Sequence, residues 1–111
     1  MSPIQTAALE AHDKHFNPSA RWVMAGPNGL TVGDPLTKLG GPFMPEDAHL
    51  VCAKRSDMRE GVWVIVAAKP CGGDDIEFVR WMLDANGSEP SCFWGHYGSA
   101  ADAIQAFEER T

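Results

Sequence analysis

The stretch VWVIVAA at residues 62–68, followed by IEFVRWML at 76–83 and CFWGHY at 92–97, decides the fold of this chain. Aromatic and β-branched residues dominate these three runs, and turn-forming residues separate them, PCGGD at 70–74 and NGSEP at 86–90. Runs of this composition bounded by Gly, Pro, Asn and Asp are typical of strands joined by short turns. The sequence therefore predicts a three-stranded antiparallel meander.

Helices are predicted on both sides of the meander. The N-terminal SPIQ at residues 2–5 has a capping serine, a proline suited to the first turn and a glutamine that completes a capping box. This helix should end near Asn17, because the residue before a proline is disfavoured in the α region. From Ser99 onwards a second box-like start is followed by apolar residues at helical spacing as far as Phe107.

Two segments suit either a strand or a helix. Residues 45–55 begin with acidic and end with basic side chains, as a helix dipole favours, yet 49–54 would also pair as a strand with 62–68. Residues 74–86 could begin with a capping box, whereas Phe78, Val79 and Trp81 favour a strand. We favour the strand in both.

The remaining segment between the first helix and the meander is predicted to hold a hairpin and a long loop. RWVMA at 21–25 and LTV at 30–32 flank GPNG, and Asn-Gly is a strong hairpin turn. Residues 34–45 contain three prolines and two adjacent glycines, so we expect an irregular connection that Leu36, Leu39 and Phe43 attach to the core.

Together these elements predict one α+β domain spanning residues 1–111. We expect a mostly antiparallel sheet of about five strands, with the N- and C-terminal helices packed on one face. Trp63, Val79 and Trp81 would then lie on the other face. Self-association across a two-fold axis is the commonest way to bury such an apolar face, so we expect a homodimer.

Composition and charge restrict the classes of partner. The chain is 44% hydrophobic and 22% charged, which is ordinary for a globular domain. The net charge is −6: residues 1–73 hold seven acidic and seven basic side chains, and residues 74–111 hold eight acidic and two basic ones. Because phosphate binding needs a basic stripe, we expect no direct nucleic-acid partner.

The chain carries no sign of export or membrane insertion. Residues 1–5 (MSPIQ) lack the basic and apolar regions of a leader, and no run approaches the roughly 18 apolar residues of a membrane span. The widely spaced Cys52, Cys71 and Cys92 fit neither a disulfide framework nor a metal or redox pair. We therefore expect a cytoplasmic protein with reduced thiols and no membrane partner.

WGHY at residues 94–97 followed by AIQAFEER at 103–110 is similar to the C-terminal ends of small uncharacterised bacterial proteins, including some carried on mobile elements such as integron cassettes or phages. The resemblance covers under a third of the chain. It implies a strand followed by a helix, and it transfers no activity to any residue.

The candidate binding residues are aromatic or lie beside aromatic residues on the predicted strands. Sheets that gather several aromatic side chains often use some of them to line a pocket or an interface. We therefore select, as residues that would bind a ligand or a partner, Trp63, Trp81, Trp94, His96 and Tyr97. If Trp81 and Trp94 neighbour each other across the last hairpin, they form either a structural pair or one wall of a site.

No catalytic residue, metal site or cofactor site is predicted. His12 and His15 could share one helical face, but two imidazoles do not make a metal site. Cys92 and His96 are four residues apart on a strand, about 13 Å, which is too far for direct proton transfer. A thiol–imidazole pair would require the fold to bring Cys52 or Cys71 close to His96.

Three functions are consistent with these features of the sequence. The first is a non-catalytic binding or adaptor protein that recognises another protein through its aromatic sheet and acidic C-terminal surface. The second is a small-molecule binder in which the 34–45 loop closes over an aromatic pocket. The third, ranked last, is a small enzyme that uses His96 with an acid or a thiol.

Overall fold

The computed structural model describes residues 2–22, 26–39, 47–56, 60–83 and 90–109, with backbone alone at 21–22 and 90–94. It has two helices and a four-stranded sheet, which confirms the α+β class. The elements are α1 (Pro3–His15), β1 (His49–Arg55), β2 (Trp63–Pro70), β3 (Ile76–Leu83), β4 (Pro90–Tyr97) and α2 (Ala100–Glu109). The strands lie in the order β1-β2-β3-β4, each antiparallel to the next.

Both helices begin where their capping residues predict. Ser2 Oγ accepts a hydrogen bond from the Gln5 amide at 3.1 Å, and Ser99 Oγ accepts one from the Asp102 amide at 3.2 Å. Each bond satisfies one amide that the first helical turn leaves without an intrahelical acceptor. Within the described residues, no helix is both long and apolar enough to cross a membrane.

The two ambiguous segments both form strands, as predicted, in the parts that the structure describes. β1 pairs with β2 from His49 opposite Ala68 to Arg55 opposite Trp63, and β2 pairs with β3 without interruption. The first pairing shifts register at Val51, which is the extra residue of a β-bulge. The antiparallel meander therefore includes β1 as well as the three strands β2, β3 and β4 that correspond to the three runs.

One side of the sheet carries the helices. α1 contacts β1 and β2, whereas α2 contacts β2, β3 and β4. Apolar side chains of both helices are buried in a single cluster with side chains from the sheet, here called the helix-side cluster: Ile4, Ala8, Ala11, Val51, Cys52, Val64, Val66, Ala68, Met82, Ala103, Ile104 and Phe107. Burial of this apolar surface is the main stabilising contribution on this side.

The opposite side of the sheet is covered by the segment before β1. Leu30, Leu36 and Leu39 come from that segment, and they are buried with alternate residues of the strands in a second cluster, here called the loop-side cluster: Leu30, Leu36, Leu39, Ala48, Leu50, Ala53, Ile65, Ala67, Val79, Trp81 and Leu83. The attachment of Leu36 and Leu39 to the core is confirmed, and Phe43 lies outside the described residues. Val79 and Trp81 are 0% and 2% exposed, so the apolar face that motivated a homodimer is covered within one chain at these positions.

The predicted hairpin before β1 is wrong in the part that the structure describes. Arg21 and Trp22 end a 3-10 helix (Pro18–Trp22), and the GPNG turn forms another (Pro27–Gly29). Asn28 and Gly29 do adopt positive φ, 54° and 77°, but inside this short helix and not between paired strands. The described residues therefore contain four strands and not five, and Pro35 forms an isolated bridge with His49.

Three polar contacts hold the covering segment and α1 to β1. His49 Nδ1 lies 2.9 Å and Gln5 Nε2 3.1 Å from the Gly33 carbonyl oxygen, and both donate to it because a carbonyl only accepts. His12 Nδ1 donates to the carbonyl of Val51 at 3.1 Å, from a fully buried position on α1. Two of the four histidines are thus structural donors to backbone oxygens.

Candidate functional site

A row of polar side chains crosses three strands at the end of the sheet opposite the β1–β2 turn. Glu77 on β3 is the shared acceptor: its Oε1 lies 2.7 Å from Lys69 Nζ on β2 and 3.1 Å from His96 Nδ1 on β4. Because a carboxylate oxygen only accepts, His96 Nδ1 carries a proton in this contact. The row places the His96 ring at a fixed position beside the sheet edge.

Charge and hydrogen bonding keep Glu77 ionised. The hydrogen bond from Lys69 is the largest cause that lowers the pKa of Glu77 below 4.5, against a desolvation effect that raises it, and His96 and Cys71 add to the lowering. A depressed carboxyl pKa stabilises the folded state above the unfolded-state value, and this contribution is lost as the pH falls through the folded-state value. The row is therefore intact at neutral pH.

Glu77 also lowers the reactivity of the Cys71 thiol. The hydrogen bond to Glu77 and the charge of that carboxylate raise the pKa of the exposed Cys71 thiol above 9.0. A nucleophilic cysteine needs the opposite, a cationic neighbour that lowers the pKa. The carboxylate stands between thiol and imidazole as the acceptor of both, so the geometry does not support a reactive Cys71–His96 pair, whereas His96 does contact an acid, Glu77.

We expect the change Glu77→Gln to accelerate alkylation of Cys71. Removal of the negative charge and of the strong acceptor lowers the thiol pKa, and a larger thiolate fraction at pH 8 reacts faster, by about threefold or more. Iodoacetamide labelling followed by peptide mass spectrometry measures each cysteine separately. Cys52 is the internal control: it is buried, burial raises its pKa, and it should stay unlabelled in both proteins. An equal or slower rate at Cys71 in the variant would contradict this assignment.

The first of three adjoining grooves contains Glu77, His96 and Cys71. Its volume is about 370 Å³, and its lining comprises Cys71, Asp75, Ile76, Glu77, His96, Tyr97 and Gly98. The turn that joins β2 to β3 forms one wall and the end of β4 forms the other. His96, with 45% of its side chain exposed, is a basic side chain that lines it, and two carboxylates face the same space.

A second groove begins on the other side of Tyr97. It measures about 350 Å³ and lies between Tyr97 and α2, where its lining comprises Asp102, Gln105, Ala106 and Glu109. The Tyr97 ring packs along β4 over Gly95: a Cβ atom at Gly95 would stand only 2.6 Å from the Tyr97 hydroxyl oxygen. Glycine at position 95 thus permits the tyrosine to lie flat between the two grooves.

A third groove adjoins the first at Asp75 and Ile76. It measures about 450 Å³ and extends to the start of α1, with a lining of Pro3, Ile4, Asp47, Pro70, Gly73, Asp74, Asp75 and Ile76. The three grooves form one surface, here called the acidic band, with six carboxylates: Asp47, Asp74, Asp75, Glu77, Asp102 and Glu109. Lys69 bonds to one of these carboxylates, and a net negative surface remains.

The five residues selected from the sequence do not form one site. His96 and Tyr97 lie together on the acidic band. Trp81 is buried in the loop-side cluster, and Trp63 is half-buried at the opposite end of β2, where the Arg55 guanidinium carbon lies 4.6 Å from its ring centroid. The Trp94 side chain lies outside the described part of the chain, and its strand bulges where Trp81 stands opposite.

The described residues contain no group of three His, Cys, Asp or Glu side chains suited to a metal ion. His12 and His15 illustrate the reason: His12 points into the core and stacks on Phe16 with ring centroids 5.1 Å apart, whereas His15 is exposed. The sequence pattern does not single out Glu77 as the shared acceptor, because only the strand register places Lys69 and His96 beside it.

Comparisons with known proteins find no match, so the function has to be inferred from the geometry of the site. No protein-family model, no curated protein sequence and no solved structure matches the chain.

Proposed function

We propose that this protein is a non-catalytic binding protein that recognises a basic segment of a protein partner through the acidic band. The observation that carries the proposal is the pair of grooves that meet at Tyr97, each lined by two carboxylates: Asp75 and Glu77 in one, Asp102 and Glu109 in the other. Carboxylates on both sides of an aromatic ring suit side chains that combine a cation with an apolar stem, as lysine and arginine do.

The distribution of charge supports a protein partner over a small anion or a nucleic acid. Asp74, Asp75, Asp102 and Glu109 are exposed, so their charges attract a cationic partner during approach. Among the described ion pairs of this surface, Lys69 and His96 contact Glu77, and His49 contacts Asp47. A polyanion would meet repulsion along the whole band.

The small-molecule alternative finds less support. It requires the 34–45 loop to close over an aromatic pocket, yet Leu36 and Leu39 in the described part of that loop are buried core residues. Trp81, which would line the pocket, is covered by the same cluster. The three grooves are open at the surface and extend along it, which favours an extended ligand.

We expect binding to a cationic peptide to fall when carboxylates of the band are neutralised. The probe is a synthetic peptide of alternating lysine and threonine with the length of β4, 8 residues. The double variant Asp102→Asn/Glu109→Gln should bind it about tenfold more weakly at low salt, and the wild-type affinity itself should fall at physiological salt. Fluorescence anisotropy of the labelled peptide measures both effects.

The matched control is Glu60→Gln/Glu108→Gln, which also removes two negative charges, but from positions outside the band. Glu60 lies in the turn between β1 and β2 at the far end of the sheet, and Glu108 is the exposed neighbour of Glu109 on α2 that lines none of the three grooves. The control should bind within about twofold of the wild type. Equal losses in the two double variants would show that net charge alone explains the binding, and would contradict recognition by the band. Failure of the wild type to bind at low salt would refute the proposal.

A further inference from the structure

Among the described residues, the two edges of the sheet are paired differently. At the β1 edge, the backbone of the preceding segment forms three hydrogen bonds with the start of the strand: Gly33 N to Leu50 O at 2.8 Å, Leu50 N to Asp34 O at 3.0 Å and Leu36 N to Ala48 O at 2.9 Å. At the opposite edge, β3 is the one strand of the described chain that pairs with β4. An uncovered edge strand is a template for a further strand.

We propose that β4 receives the basic segment of the partner as an added strand, so that the sheet gains its fifth strand from another protein. This inference rests on the proposed function and specifies how the partner binds. Addition of an extended segment to a sheet edge obtains its affinity from backbone hydrogen bonds and its specificity from alternate side chains.

The end of β4 places the two grooves in suitable positions for such a strand. His96 stands opposite Val79 of the loop-side cluster, whereas Tyr97 stands opposite Phe78 and packs on the helix-side cluster. Successive side chains of a strand point to opposite faces, so a strand beside β4 would do the same. Its basic residues would therefore alternate between the groove of Asp75 and Glu77 and the groove of Asp102 and Glu109.

The charges favour a basic segment over a second copy of this chain. Antiparallel pairing of β4 with β4 of a second copy would place both α2 helices on the same face of the joined sheet. Each helix exposes Asp102, Glu108 and Glu109, and it has no basic residue in its last turn. Like charges would face each other across such an axis, whereas a lysine-rich strand meets opposite charge.

The test uses the same alternating peptide with N-methyl groups on every second amide, in the two possible frames. A strand in an antiparallel edge pair directs alternate amides at its neighbour and the others at solvent. We expect one frame to bind about tenfold more weakly, because several backbone hydrogen bonds are lost, and the other to bind within about twofold of the unmodified peptide. Hydrogen exchange measured by NMR should show increased protection of β4 amides when the unmodified peptide is bound.

Each outcome separates this inference from the proposed function. Equal affinities of the two methylated frames, with no added protection in β4, would overturn strand addition while cationic recognition stands. Failure of the unmodified peptide to bind at low salt would refute the proposed function itself. Light scattering that gives twice the chain mass without peptide, together with β4 amides already protected, would identify a second copy as the occupant and overturn the inference.

Discussion

The change Gly33→Ala should destabilise the fold by about 2 kcal/mol. Gly33 has a φ of +88°, a region that costs an L-residue about 1 kcal/mol or more. A Cβ atom there would also stand 2.8 Å from Leu9 Cδ2 and 3.2 Å from its Cγ, so the Leu9 side chain on α1 would have to shift. This shift adds a packing cost to the backbone strain. Urea denaturation followed by circular dichroism measures the loss.

Two further variants separate backbone strain from steric overlap. Gly29 has a similar φ of +77° in the same segment, but a Cβ atom there would meet nothing within 4 Å, so Gly29→Ala should cost only about 1 kcal/mol. Removing the overlap with Leu9→Ala should make the double variant Leu9→Ala/Gly33→Ala about 1 kcal/mol more stable than the sum of the single effects predicts. Equal costs at Gly29 and Gly33, with simple additivity, would contradict the close packing of the covering segment against α1.

The change His12→Ala should destabilise the fold by about 3–4 kcal/mol. His12 is 0% exposed, and its ring fills space between α1 and the sheet. His12 Nδ1 donates to the carbonyl of Val51, the extra residue of the bulge in β1. Alanine removes the ring and the donor together, so the loss of a buried hydrogen bond adds to the cost of a cavity.

His15 and an amide substitution provide the controls for His12. His15 lies on the same helix but is exposed, so His15→Ala should change the free energy of unfolding by about 0.5 kcal/mol or less. His12→Asn retains a donor near the position of Nδ1 and should lose less stability than His12→Ala. A loss at His12→Ala no larger than at His15→Ala would contradict the role of this hydrogen bond in attaching α1 to β1.

Local chemistry was sufficient to predict the strands of the meander and both helix starts. Ser2 and Ser99 each cap a helix through a hydrogen bond to an amide three residues later. The aromatic and β-branched residues of β2 and β3 favour strands wherever the sheet places them. Both signals are local in the sequence. The wrong hairpin has the opposite cause. Asn28 and Gly29 adopt the positive φ that their residue types favour, but they do so within a short 3-10 helix, and the flanking Leu30 is buried against the sheet.

The candidate site was predictable only in part because it depends on register. The aromatic and imidazole side chains of His96 and Tyr97 are visible as residue types in the sequence. Their association with Glu77 follows from the pairing of β3 with β4, which brings together residues 19 apart. The same pairing buries Trp81, whose residue type suggested a binding surface equally well. Residue type thus indicates which side chains can bind, and register decides which of them lie together.

The most direct test of cationic recognition is an NMR titration of the ¹⁵N-labelled protein with the alternating lysine peptide. We expect the largest amide shifts in the acidic band, at residues such as Asp75, His96, Tyr97 and Glu109. Amides in the turn beside Glu60, at the far end of the sheet, should stay unchanged. Shifts centred on that far turn, or spread evenly over all exposed carboxylates, would refute cationic recognition by the acidic band.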